Sequence, residues 1–301
     1  MMHGPWGSKK IDGAAVRLEG AAFVYPGGVR ALDGLDICVR PGDFTAVMGA
    51  NGGGKSTMLK LLVGLLHPSE GRVLIDDIQV GHDTFNEVAV MVGYLFQDPN
   101  DQLFCPTVAA DIAYGPENLG LREAEVERRV EWSAKTCGVY ELLDRPIHAL
   151  SYGQKKRVAL AGVLAMGPRV LVLDEPTASL DPMAEAALMR LLKGLNEQGL
   201  TIIMATHDVD LIPLYAHRIV LLRGGVVAAE GPLNDVFAEG THLESCDLRL
   251  PRITYLFDIF CDETTRPLTV GQARKELVRM VERGQLDLVP ILLPRERGGA
   301  A

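Results

Sequence analysis

The chain has 301 residues, 48% of them hydrophobic and 23% charged, with a formal net charge of -9. That length and apolar content suffice for one large domain with an appendage or for two modest domains, while the acidic balance offers no broad attraction for nucleic acid or anionic lipid. The five cysteines, Cys38, Cys105, Cys137, Cys246 and Cys261, are odd in number and include no C-x-x-C pair, so neither a disulfide framework nor a zinc site is indicated and reduced cytoplasmic thiols fit best.

The start, MMHGPWGSKK, lacks the apolar core of a signal peptide, and residues 1–13 read as a flexible lead. No later stretch approaches the roughly 18 to 20 apolar residues of a membrane span. Residues 16–25 and 34–40 mix β-branched and aromatic types around the turn signal Pro26-Gly27-Gly28, which predicts early strands. FTAVM predicts a further strand ending at Gly49, and KSTMLKLLVGLL a helix whose stripe is Met58, Leu59, Leu62, Leu65 and Leu66, stopped by Pro68 and Gly71. The stretch from 107 to 166 reads as helical. VLVLD at 170–174, TIIMA at 201–205 and IVLL at 219–222 read as parallel-sheet strands, with a helix over about 183–198. This alternation predicts an α/β core. After Gly231 the pattern weakens, although Thr269 with Gln272 three residues on looks like a capping box that opens a helix to about Arg283. That segment is amphipathic, and its polar face mixes Arg274, Lys275, Glu276 and Arg279.

Three motifs carry chemistry. GANGGGKST, Gly49 to Thr57, satisfies G-x-x-x-x-G-K-[ST] between a buried strand and a helix. Without β-carbons, Gly52, Gly53 and Gly54 let backbone N–H groups converge on phosphate oxygens at a helix N-terminus, with Asn51 in the same loop. Lys55 would bridge β- and γ-phosphates, and Ser56 would ligate Mg²⁺. LVLDE, Leu171 to Glu175, delivers two carboxylates at the end of an apolar strand. Asp174 would hold Mg²⁺ through water, and Glu175 would act as general base on the attacking water. LSYGQKKRVALAG, from Leu150, opens a helix with Ser151 as N-cap and exposes a second anion site, where one phosphate loop needs no second.

At this point the chain resembles the ABC ATPases, whose signature is LSGGQ, over residues 14 to about 235. The resemblance implies that Ser151, Tyr152, Gly153 and Gln154 of one copy close on ATP held by another. Tyr152 stands where the first glycine is usual, so its ring is expected to point away from the nucleotide. Tyr25 looks like the aromatic that stacks on adenine. Gln97 resembles the Q-loop glutamine, which contacts Mg²⁺ and water and senses the membrane partner. Asp181, in SLDP, resembles the D-loop aspartate that reaches across a dimer, and His207, in ATHD, the switch histidine near the γ-phosphate. In isolation these read as a strand aromatic, a loop polar residue, a helix cap and a satisfied strand-end histidine. The resemblance also implies the fold: a P-loop NTPase with a RecA-like core, an antiparallel β subdomain, a helical signature subdomain over about 100–166, and a small C-terminal extension at 236–301 for dimer contact or regulation.

The stretch 95–121 is similar to the ATPases of energy-coupling-factor (ECF) importers, and LSYGQKKRVALAGVLAM to their cobalt and nickel members. This implies an ATPase with ATP and Mg²⁺ as ligands, working as a homodimer on the cytoplasmic face of the membrane. The implied partners are an integral membrane coupling (T-type) subunit, whose helices sit in a groove beside Gln97, and a substrate-binding membrane subunit. The seven histidines are scattered without metal-ligand spacing, so the transported metal is not expected to touch this chain. An importer of a vitamin or other solute, a soluble ABC ATPase of translation or DNA maintenance, and a regulator that binds ATP with little turnover are the alternatives.

Overall fold

The computed structural model describes residues 15–238, 240–257 and 266–284. Strands β1 (Val16–Val24) and β2 (Arg30–Val39) pair antiparallel around the turn at Pro26-Gly27-Gly28, where Tyr25 N–H donates to the Val29 carbonyl and both glycines adopt positive φ. The next strand, β3 (Phe44–Met48), is buried at all five positions and runs into Gly49 and helix α1 (Lys55–Leu62). This helix is shorter than its apolar run predicts. Gly64, at φ 71, takes the left-handed position past the cap, and Leu65 and Leu66 N–H both turn back to the Lys60 carbonyl. Leu65 is consequently exposed instead of continuing the stripe. The stop is thus Gly64, upstream of Pro68 and Gly71.

Residues 70–95 hold four elements that the sequence pattern does not reveal: β4 (Glu70–Ile75), β5 (Ile78–Gln79), α2 (Phe85–Met91) and β6 (Val92–Leu95). The strands are short or half exposed, so their alternation is weak. The helical stretch consists of α3 (Val108–Asn118), α4 (Glu123–Thr136) and α5 (Tyr152–Ala165), packed on one another. Close approach of α3 to the end of α5 depends on Gly115, since a β-carbon there would lie 2.7 Å from Met166 Cγ. Ser151 caps α5 as expected, in a full capping box with Gln154.

Strands β7 (Val170–Asp174) and β8 (Thr201–Ala205) are buried throughout, flank helix α6 (Pro182–Glu197), and are followed by β9 (Arg218–Arg223) and the antiparallel β10 (Val226–Pro232). The six-stranded sheet has the order β10-β9-β3-β8-β7-β6, parallel except at β10; a separate antiparallel sheet has the order β2-β1-β4-β5. Continuous apolar strands fit a parallel sheet covered on both faces. The loops after β3, β7 and β8 all leave its carboxyl edge, where open α/β sheets bind ligands.

Two short helices, α7 (Leu233–Ala238) and α8 (Gly240–Ser245), pack on β9, with α7 also against β10. The chain therefore divides into compact units between Arg249 and Leu250, later than the change of pattern at residue 236. The second unit holds α9 (Arg252–Phe257) and α10 (Val270–Glu282); the latter opens on the Thr269/Gln272 capping box. The expected lead over residues 1–13 and the tail beyond 284 lie outside the described residues. No described helix is long and apolar enough to cross a membrane.

Candidate functional site

The loop Gly49 to Thr57 is shaped by backbone positions that exclude side chains. Gly49 has φ 152, and a β-carbon on it would lie 2.2 Å from the Leu222 carbonyl oxygen. Gly54, at φ 100, is the N-cap of α1, where a β-carbon would meet Leu32 Cδ2 at 2.7 Å and the Ala31 carbonyl at 2.9 Å. No side chain caps α1, so its first-turn N–H groups open toward the loop. Lys55, buried, donates from Nζ to the carbonyls of Gly49 (2.8 Å) and Ala50 (3.0 Å). Burial lowers its pKa, against the opposing pull of Glu175 and Asp174.

The two acids at the end of β7 sit differently. Asp174 is buried; its Oδ2 accepts from the Tyr94 hydroxyl at 3.1 Å, whereas its Oδ1 is buried without a hydrogen-bond partner. Burial, followed by the Asp174 charge, raises the Tyr94 pKa and keeps it a phenol. Glu175 follows with φ 45, a left-handed backbone, and both oxygens of its carboxylate lie 3.0 Å from His207 Nδ1. An ionised carboxylate only accepts, so Nδ1 carries the hydrogen and Nε2 is left for other partners.

These groups meet at a cavity of about 540 Å³. Asn51, Gly52, Gly54, Lys55, Ser56 and Thr57 form one wall, and Tyr25, Gln97, Glu175 and His207 line the remainder. Gly49, Gly53 and Asp174 are not among the lining residues. Tyr25 is held by its edge-on contact with Phe23 (4.8 Å between ring centres) and by a 3.1 Å hydrogen bond between its hydroxyl and that of Thr57. Val29, Arg30, Ala31 and Gly224 also line the cavity and carry no motif. The Pro26-Gly27-Gly28 turn is the one local sign of the first three. Gly224 is brought there by tertiary pairing, with Gly225 N–H donating to the Gly53 carbonyl at 3.3 Å. Ser56 and Gln97 on the cavity wall and the orphaned Oδ1 of Asp174, which precedes the cavity-lining Glu175, are hard oxygen donors of the kind Mg²⁺ takes.

Ser151, Tyr152, Gly153, Gln154 and Asp181 do not line this cavity. Ser151 and Gln154 close the capping box of α5, and the Asp181 carboxylate accepts from Met183 and Ala184 N–H, both at 2.9 Å, as the cap of α6. The Tyr152 hydroxyl donates to the Gln97 carbonyl at 3.3 Å, so the ring in the usual glycine position ties the signature turn to the loop after β6.

The sequence profile of the ABC transporter family matches residues 32–178. The chain is 46% identical to a putative ABC transporter ATP-binding protein of Methanothermobacter marburgensis, over 85% of this chain and 95% of the relative. It is 43% identical to the energy-coupling factor transporter ATP-binding protein EcfA of Methanocaldococcus jannaschii, over 86% of this chain and 95% of the relative. Among solved structures, cbiO1 of Clostridium perfringens, described as part of the ABC transporter complex cbiONQ, superposes with a TM-score of 0.71 at 42% identity, covering 82% of this chain and 100% of that one. An ATP-binding cassette solved as a dimer in a post-hydrolysis state bound to ADP and Pi superposes with a TM-score of 0.66 at 30% identity, covering 72% and 98%.

Proposed function

Since the chain belongs to the ABC transporter family, as an ATPase of the energy-coupling-factor type, we propose that it works as a homodimer that energises import of cobalt or nickel ions. The observation that carries the hydrolytic reading is the placement of the phosphate loop, Gln97 and the Glu175–His207 pair on one cavity. The first-turn N–H groups of α1 and the Lys55 ammonium meet phosphate charge, and Tyr25 offers its face to adenine. Glu175 takes the proton of the attacking water as general base. His207 orients the Glu175 carboxylate through Nδ1, and its Nε2 meets the γ-phosphate. Ser56, Gln97 and Asp174 would hold Mg²⁺, Asp174 through water, and the ion would supply neutralisation of phosphate charge.

The signature residues Ser151 to Gln154 stand away from their own chain's cavity, which favours their use by a second copy, and the similar cassette solved as a dimer supports the same reading. Asp181 would reach across that dimer from the start of α6. The pair would dock from the cytoplasmic face on a T-type membrane subunit that connects to a substrate-binding membrane subunit. The similarity of LSYGQKKRVALAGVLAM to cobalt and nickel members of the ECF ATPases favours those ions as cargo. The Glu175→Gln variant is expected to bind ATP while kcat falls by about 10² to 10⁴; wild-type turnover would remove the assigned role. Uptake of radiolabelled cobalt and nickel, compared with that of vitamins in cells with and without this chain, tests the cargo. Loss of vitamin uptake alone would reassign it.

A further inference from the structure

Lys156 is a buried cation that the hydrolytic scheme leaves unused. It is 1% exposed, yet its partners are carbonyl oxygens: Nζ donates to Glu175 and Ala178, each at 3.2 Å. Those carbonyls belong to a short segment between two non-glycine residues of left-handed backbone, Glu175 at φ 45 and Ser179 at φ 63. Such conformations persist only where the surroundings fix them. A five-residue piece with strain at both ends, leading from the general base into the D-loop, is tied to α5 by one ammonium group. The pin comes from α5, the helix that begins with the signature residues. One turn earlier on the same face, the Tyr152 ring lies 5.7 Å from Lys156 Nζ, and its hydroxyl holds the Gln97 carbonyl. Burial brings the Lys156 pKa down to about 8, with Asp98 and Glu175 pulling the other way.

We infer that Lys156 is a positioning residue for ATP hydrolysis: from the signature helix it fixes the backbone of residues 175–179, so that the Glu175 carboxylate stays beside His207 and the D-loop keeps its turn. The inference rests on the role of Glu175 given above and adds a link from the signature helix to the general base of its own chain. Any displacement of α5 by a nucleotide at its N-terminus is thereby passed to that chain's Glu175.

The test is a double-mutant cycle on the full-length chain in its transporter complex, with ATP affinity and single-turnover hydrolysis read separately. Lys156→Met removes the donors at similar length, and Lys156→Gln keeps two N–H groups on a shorter stem. The Met variant is expected to lower the hydrolysis rate about tenfold with the Kd for ATP within about twofold, and the Gln variant to lower it less. In a Glu175→Gln background neither change should lower the rate further, because the residue acts through the group already removed. Rate losses that multiply across the two sites, or a Kd that rises in step with the lost rate, would overturn the inference; the Gln variant serves if the Met variant does not fold. Wild-type rates for Lys156→Met beside an inactive Glu175→Gln would defeat this inference alone, whereas wild-type rates for Glu175→Gln would defeat the reading beneath it.

Discussion

Individual residues at the site are constrained by what lies directly behind them. Gly49 is the sharpest case, with the Leu222 carbonyl 2.2 Å from the position of a β-carbon. The Gly49→Ala change must move one of two buried strands, and a stability loss of about 2 to 3 kcal/mol is expected in urea unfolding. Tyr94 acts more gently. Its hydroxyl orients Asp174 through Oδ2 and leaves Oδ1 for a ligand. Tyr94→Phe should therefore raise the Mg²⁺ concentration needed for half-maximal ATPase activity by about tenfold, with little change in ATP affinity at saturating Mg²⁺. The residues legible from sequence were those in contiguous motifs, such as Lys55, Asp174 and Glu175, because adjacency in the chain already makes their geometry. Tyr94 and Gly224 were not legible. Each reaches the site through pairing of segments far apart in sequence, and no local pattern marks a tyrosine on a four-residue edge strand as the partner of an aspartate.

At the scale of elements, caps and glycines decide where helices begin and end. The capping box of α5 gives Ser151 a structural task beside any nucleotide contact, and Ser151→Ala is expected to cost about 1 kcal/mol in thermal or chemical unfolding. The same chemistry was readable at Thr269, where a hydroxyl and a glutamine three residues apart announce α10. The end of α1 was not readable. Gly64 lies inside a leucine run that continues the helical stripe, and only its left-handed φ shows that the helix has stopped. The helical subdomain has a further tie in Arg129. It donates to Glu125 from Nε at 2.8 Å and to the Ala165 and Met166 carbonyls at the end of α5 from Nη1 at 3.2 and 2.9 Å. Arg129→Ala should lower stability by about 1 to 2 kcal/mol through those carbonyls. Hydrogen bonds from Arg128 and then Arg129 hold Glu125 down to about 2. Its contribution is therefore complete above the ordinary glutamate value of about 4.3 and fades as pH falls from there toward 2, so the Glu125 share of the Arg129→Ala deficit should fade over that acid range while the share from the carbonyls persists.

Across the whole molecule, burial partitions the thiols in a way that reports on opening. Cys38 is exposed on β2, whereas Cys137 is buried just past α4 and burial pushes its thiol up to about 12. Alkylation at pH 8 should label Cys38 within minutes and reach Cys137 only as the chain unfolds, as mass spectrometry of pulse-labelled protein would show. Rapid labelling of Cys137 in the native protein would contradict the packing described. The α/β class was plain in the sequence, since the three strands Phe44–Met48, Val170–Asp174 and Thr201–Ala205 are apolar without interruption. The extent of the first unit was not. Residues 236–249 lose the alternation of strand and helix, yet α7 and α8 pack on β9, and that packing depends on side chains such as Phe237 and Leu243 that no periodicity singles out.

The left-handed backbone at Glu175 and Ser179 sets selection for stability against selection for work. A glycine relieves strain at either position by about 1 kcal/mol. A library screened for resistance to heat or protease, with no demand for turnover, should therefore enrich glycine or asparagine at 175 and 179 and drift toward sturdier, inactive chains. Under selection for growth on limiting imported solute, glutamate should be restored at 175, and serine should be favoured at 179, where its side chain hydrogen-bonds Tyr152.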